Sequence, residues 1–453
     1  MDTKEAKVFL EEHGVDNVRV AVIDLNGTAR GKRLPVKKFL SACDHGMNFC
    51  SGNYTLLVNS DVIPELPTIG FSTGFPDMVA WPDLNTLTLI PWEERTAWVV
   101  GDMRQPDGSE VPFDPRTLLK AQIDKMAEKQ LRALVSLEYE FYVFKETSES
   151  LRGKKWSDLQ PFYHGPGCYD QIRSNKSRFF MEEIWRLLPQ AGVPLDSWQV
   201  EMGGGMFEFP IKEADPLIAA DRALLFKLAV KEICHQHGLL ATFMAKISHE
   251  HEGLSGAIHL SVVDKEGNNL FHDPNRPHGL SELFSQWCEG LLQNLLDLTL
   301  IFLPTYNSYK RPLPGSFVGN STTWSIESRA TTLRIINLHP EATRIENRLP
   351  GSDGNPYFVI AAHLAAGLYG AANKLKLRPP FTEGNPAFLD REDIEYIPMS
   401  FEKAIERFRA SPRMVEFFGR DFCQTFVAHR EHELNTIRPL VADWEREFYL
   451  ENA

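Results

Sequence analysis

Two glutamates stand two residues apart in the run SLEYEFYVF (136–144): Glu138 and Glu140, among Leu137, Tyr139, Phe141, Tyr142, Val143 and Phe144. The apolar, aromatic run reads as a buried strand. A strand has a period of two, so both carboxylates point to one side. Like charges that close repel, and desolvation adds to the cost. Either that side is wetted, or something positive lies between them: a metal ion or an arginine cluster. More carboxylates sit in similar surroundings. Glu201 and Glu208 flank a triple glycine, Gly203–Gly205, in WQVEMGGGMFEFPI, and Glu346 lies between Arg344 and Arg348 in RIENRLP. Buried carboxylates are normally paired or metal-bound, and an oxygen-rich set suits Mg2+ or Mn2+ better than zinc.

A basic set accompanies them: Arg311 after NSYK, Arg329 and Arg334 in SRATTLRI, and Arg344 and Arg348 around Glu346. Arginines beside metal-type carboxylates suit a nucleoside triphosphate and a phosphorylated intermediate. A salt-bridge network on a sheet face would use the same residue types. No GxxxxGK[ST] run is present, so a P-loop is excluded.

The elements that must position these groups divide the chain in two. Residues 4–13 read as a helix, 18–25 as a strand, Asn26-Gly27 as a hairpin turn, and ARGKRLPV as the returning strand. TLTLIPW and TAWVVGDM add strands to this small β-rich unit, and QPDGSEVPFDPR (105–116) reads as a linker. Helices are then expected near 116–129, 175–190, 214–237, 279–303, 356–374 and 400–410. Strands are expected at 133–144 and around the triple glycine, and a hairpin at 259–271. The expected class is α+β, with an antiparallel sheet and helices outside it, and boundaries at 1–107 and 108–453. The aromatic-rich stretch 415–426 reads as core or subunit contact.

The totals fit a soluble globular protein of two domains or more. There are 453 residues, 43% hydrophobic and 24% charged. A net charge of −13 argues against a nucleic-acid surface. The N-terminal stretch MDTKEAKVFLEEHGV has no apolar signal-peptide core, no run of 18 uninterrupted apolar residues is present, and the apolar stretch around 290–304 carries Asn294 and Asp297 and reads as a buried helix. Six scattered cysteines without a CxxC pair fit a reduced, cytoplasmic protein.

Taken in order, VIDLNGTARGKRLP, LEYEFY, EMGGGMFE, ATFMAK with SGAIHLS, NSYKRPLPGSF, SRATTLRI and RIENRLPGSDGNPY resemble the glutamine synthetase family over almost the whole chain. The pattern is nearest to the γ-glutamylpolyamine synthetase branch. The resemblance implies a small N-terminal β-grasp domain and a large catalytic domain, assembled into a homo-oligomeric ring, commonly a dodecamer. It implies ATP-dependent joining of the glutamate γ-carboxylate to an amine through a γ-glutamyl phosphate, with two divalent cations. By motif, Glu140, Glu201 and Glu208 match the first cation's ligands, and Glu138 and Glu346 those of the second. Arg311 matches the arginine on the glutamate carboxylate. Arg329, Arg334 and Arg348 match those on phosphates and the acyl phosphate. His259 and Trp324 are further expected to line the nucleotide or cofactor pocket.

Three positions depart from the family pattern. Ala257 in GLSGAIHLS stands where a second-cation histidine is expected, leaving His259, with His249 or His251 as substitutes. Leu57 in NFCSGNYTLLVNSD stands where an amine-binding aspartate is expected, with Asp61 nearby. Met206 replaces a glutamine, and Phe317 falls where ammonia users carry a glutamate. An apolar residue gives a cationic nucleophile little help. A neutral or aromatic amine therefore fits better than ammonia or a polyamine. Two other readings stay open: a metalloenzyme of this fold turned to a different, ATP-independent reaction, and a non-catalytic ring-forming relative.

Overall fold

The computed structural model describes residues 1–389 and 391–453. The chain opens with helix α1 (Thr3–Glu12), whose cap is Asp2: its carboxylate accepts the Glu5 N–H, and the Glu5 carboxylate returns to the Asp2 N–H. Strands β1 (Asn17–Ile23) and β2 (Ala29–Pro35) follow as a hairpin. Its turn is held by buried Asp24, whose Oδ1 accepts from the N–H groups of Asn26 and Thr28, both at 2.9 Å. Helix α2 (Val36–His45), β3 (Met47–Cys50), β4 (Asp77–Pro82), β5 (Thr88–Leu89) and β6 (Thr96–Arg104) complete a six-stranded sheet in the order β2-β1-β6-β4-β3, with β5 beside β6. β1 and β6 run parallel and the other pairs antiparallel.

Helix α3 (Pro115–Ala127) begins at Asp114, whose side chain caps it, with proline at the first turn. Buried Arg116 fastens the two parts of the chain together. Its guanidinium donates to Asp102 at 2.5 Å and Asp83 at 2.9 Å in the first part, and to Asp221 at 2.8 and 3.1 Å in the second.

The second sheet is built on β7 (Arg132–Phe144). After α4 (Ser148–Gly153) and α5 (Gln171–Gln190) come β8 (Gln199–Val200), β9 (Met206–Pro210), α6 (Pro216–Gln236), β10 (Leu240–Thr242) and β11 (Gly256–Val263). Helix α7 (Glu282–Phe302), β12 (Trp324–Ile326), β13 (Leu333–Ile336) and β14 (Arg344–Asn347) follow. The helices α8 (Pro356–Ala372), α9 (Phe401–Ala410), α10 (Pro412–Phe418), α11 (Arg420–Ile437) and α12 (Asp443–Tyr449) close the chain. The eight strands run β12-β13-β14-β11-β7-β9-β8, with β10 also on β7.

One face of this sheet is the core. Tyr139 and Phe141 of β7 pack with Phe209 of β9, Phe226 of α6 and Phe243. Behind it, α7 and α8 touch almost backbone to backbone. A Cβ on Gly370 would lie 2.0 Å from the Gln286 carbonyl oxygen, and one on Gly290 2.2 Å from that of Ala366. Only glycine permits this approach.

The expected α+β architecture stands, with local differences. The second sheet is not wholly antiparallel, since β12 and β13 are parallel. Expected hairpin 259–271 forms β11 and a single bridge, Val263 to Asn269, because the chain turns off toward Ser281. TLTLIPW contributes only two strand residues, ended by Pro91. Among the described residues no helix is long and apolar enough to cross a membrane.

Candidate active site

The other face of β7 carries Ser136, Glu138 and Glu140 into a cavity of about 990 Å3. Register brings the remaining acids to them. Glu140 pairs with Glu208 across β9, and Glu208 pairs with Gln199 across β8, after which Glu201 follows. On the other side Glu138 faces Ala257, His259 faces Glu346, and Glu346 faces Arg334. The triple glycine is a steric requirement. A Cβ on Gly203 would fall 2.0 Å from the Tyr142 hydroxyl, and Gly205 has a φ of +75°. All five glutamates line the one cavity, with His259 and the five arginines 311, 329, 334, 344 and 348.

The acids are not equivalent. Burial, with repulsion from Glu201 and Glu138, pushes the Glu140 carboxyl up to about 7, against the Ser255 N–H that it accepts and the charge of Arg311. Burial first, then Glu138, Glu140 and Glu201, lifts Glu208 well above the usual carboxylate range. Glu346 goes the other way. Burial works against its ionisation, but His259 in its protonated form, Arg348 and Arg334 outweigh it and hold its carboxyl low. Arg334 donates to Glu346 at 2.9 Å and to Glu327 at 2.6 Å, and Arg348 donates to the other Glu346 oxygen.

Three residues at this site carried no signal in the sequence motifs. Gln199 donates from Nε2 to Glu201 Oε1 at 3.0 Å and to Glu208 Oε1 at 2.6 Å, tying two carboxylates together. The Cys168 thiol donates to Glu201 over 3.7 Å and is pushed up to about 11, by burial and then by Glu201. Tyr169 stands beside it with a φ of +60°. Gln199 stands two residues before Glu201, a spacing that puts both side chains on one face of an extended segment.

A divalent cation fits the donors. Among the described residues, Glu138, His259 and Glu346 form the one set of three metal-type ligand groups whose atoms all lie within 4.8 Å of one another. His259 Nε2 is buried, without a hydrogen-bond partner, 3.7 Å from Glu138 Oε2. Arg344 Nε donates to His259 Nδ1 at 3.2 Å, which leaves the neutral ring's proton on Nε2. A cation at Nε2 therefore requires Arg344 to turn away. Glu140, Glu201 and Glu208 share the cavity but are held by Ser255 and Gln199 rather than drawn into one cluster.

Arg311 is buried, and burial brings it down to about 10. It donates to the carbonyls of Leu349 at 2.6 Å and Arg348 at 3.1 Å, so it anchors the segment bearing Arg348. Arg329 is exposed on the cavity wall with no hydrogen bond or ion pair. Trp324 is turned into the core, 3% exposed and packed near Phe284, its Nε1 donating to the Arg378 carbonyl at 2.9 Å. His249 is exposed, and His251 bonds Ser248 and packs edge-on to Tyr142, so neither reaches Glu138 in place of Ala257. Leu57 is buried with Ile63 and Leu66, and Asp61 is exposed beside Asn59.

The family model described as glutamine synthetase, catalytic domain, matches residues 112–449. A glutamate–isopropylamine ligase of Pseudomonas sp is 34% identical over 98% of this chain and 96% of that one. A γ-glutamylethanolamide synthetase of Streptomyces coelicolor is 31% identical over 98% and 95%. A solved GmaS/ADP complex covers 98% of this chain and 99% of its own, with a TM-score of 0.84 and 26% identity.

Proposed function

The chain belongs to the glutamine synthetase family and is an enzyme of that ligase type; from this premise we propose that it joins the γ-carboxylate of glutamate to an amine at the expense of ATP, through a γ-glutamyl phosphate. The carrying observation is the meeting in one cavity of five strand-borne or strand-adjacent glutamates with five arginines. Bound there, Mg2+ or Mn2+ would neutralise phosphate charge. Glu140, Glu201 and Glu208 would hold one cation, and Glu138 and Glu346 a second. Arg329, Arg334 and Arg348 would meet phosphate oxygens, and Arg329 is free to do so. Arg311 would orient glutamate through its remaining donors and through the Arg348 segment it anchors.

Residues 1–107 would form the small domain and 108–453 the catalytic one. Assembly into a ring is supported by apolar side chains exposed on and beside α12, among them Trp444, Phe448 and Leu450. Six free, scattered cysteines support a cytoplasmic setting.

The test is release of ADP and phosphate by the purified protein. Release is expected only with glutamate and an amine together. Turnover of a substrate without ATP would favour the repurposed reading. The proton on His259 Nε2 gives that reading its support, since it leaves the second cation weakly held.

A further inference from the structure

We propose, on the basis of the ligase reading above, that Tyr169, Met202 and Phe317 form an apolar subsite at the mouth of the cavity, and that the accepted amine carries an alkyl or aryl group there. Large apolar side chains scattered singly on a surface need no explanation. These three are not scattered. Tyr169 is 59% exposed, Met202 39% and Phe317 63%, and all three line the same cavity.

Each is anchored by its backbone to the charged floor. The Tyr169 N–H donates to the carbonyl of Val200, the residue before Glu201, at 2.9 Å. The Met202 N–H donates to Glu201 Oε2 at 3.2 Å. The Phe317 carbonyl accepts from Arg348 at 3.1 Å. A group seated among them therefore lies beside the carboxylates and arginines where transfer would occur.

Tyr169 supplies the strongest argument. A bulky residue at φ +60° is a strained outlier; Phe75 and Trp156 share the conformation, but of these three only Tyr169 lines the cavity. The ring is not there to pack, being mostly exposed. Its hydroxyl has no hydrogen bond within the chain. The strained backbone holds an unsatisfied aromatic face at the cavity mouth. Two aromatic side chains and a thioether offer dispersion and apolar contact to a hydrocarbon. They offer no carboxylate to pair with a second ammonium group at that point.

The test measures kcat/KM of the purified enzyme, with ATP and glutamate saturating, for ammonium, ethylamine, butylamine, benzylamine and putrescine, by ADP release. The expected result is a rise of about tenfold or more from ammonium to butylamine or benzylamine, with putrescine poorer than butylamine. In Tyr169→Gly, which relieves the backbone strain, and in Phe317→Ala, the ratio of benzylamine to ammonium is expected to fall about tenfold. Ligase activity that prefers ammonium or putrescine, or ratios unmoved in both variants, overturns the subsite while leaving the ligase reading in place. No ADP release with any amine overturns both.

Discussion

Replacing Glu140 by glutamine should stabilise the metal-free protein at alkaline pH and leave it unchanged in acid. Glu140 titrates near 7 in the folded chain against an ordinary 4.5. A raised acid favours the folded state when protonated, so nothing is lost below pH 4.5. The penalty then grows as pH rises and is complete above 7. A shift of that size corresponds to as much as about 3 kcal/mol. With an unfolding entropy of about 2.1 cal/mol/K per residue, the 453-residue chain changes stability by roughly 1 kcal/mol per degree near its midpoint. Melting in EDTA by differential scanning calorimetry at pH 5, 6, 7 and 8 should therefore show Glu140→Gln level with the natural protein at pH 5. By pH 8 it should lie up to about 3 °C higher. Glu208, raised in the same direction, adds to the trend, since the neutral amide also eases its ionisation. A Mn2+ concentration near 100 times Kd should return about 2.7 kcal/mol to the natural protein and close the gap. A variant that melts with or below the natural protein at pH 8 in EDTA would refute the picture of uncompensated charge.

Gln199→Leu removes the donor shared by Glu201 and Glu208 and should weaken Mn2+ binding about 10- to 100-fold by titration calorimetry; an unchanged Kd would sink that role. Arg344→Gln should free His259 Nδ1 and tighten the weaker of the Mn2+ binding steps, read as stoichiometry at fixed free metal, and no tightening would count against the tautomer argument. Arg116→Met leaves Asp83 and Asp221 without their cation, and Asp102 with Lys120 alone, and should cost about 3–5 kcal/mol in urea unfolding, against an outcome below 1 kcal/mol that would show the clamp to be dispensable.

What could be read from sequence followed from periodicity. Glu138 and Glu140 alternate with Leu137, Tyr139 and Phe141, so the sidedness of β7 was plain before any coordinates. The Asn-Gly turn and the proline-initiated helix after the linker were equally direct. Elements set by tertiary contact were not. Helix α2 is short and starts straight from a strand, so no loop announced it. Stretch 415–426 hid helices: Phe418, Phe422 and Phe426 recur every four residues, and the last two stack at 5.2 Å. At the site, Gln199 is an ordinary polar residue until the β8–β9 register places it between two acids. The importance of Tyr169 lies in a dihedral angle that residue type argues against.

The acids sit on paired strands or directly beside them, whereas Tyr169, Met202 and Phe317 all sit on connecting segments. A substitution among those three disturbs no ladder and shifts no register. Descendants of this chain could thus reshape the cavity mouth one loop residue at a time, with the carboxylates and arginines of its floor inherited unchanged.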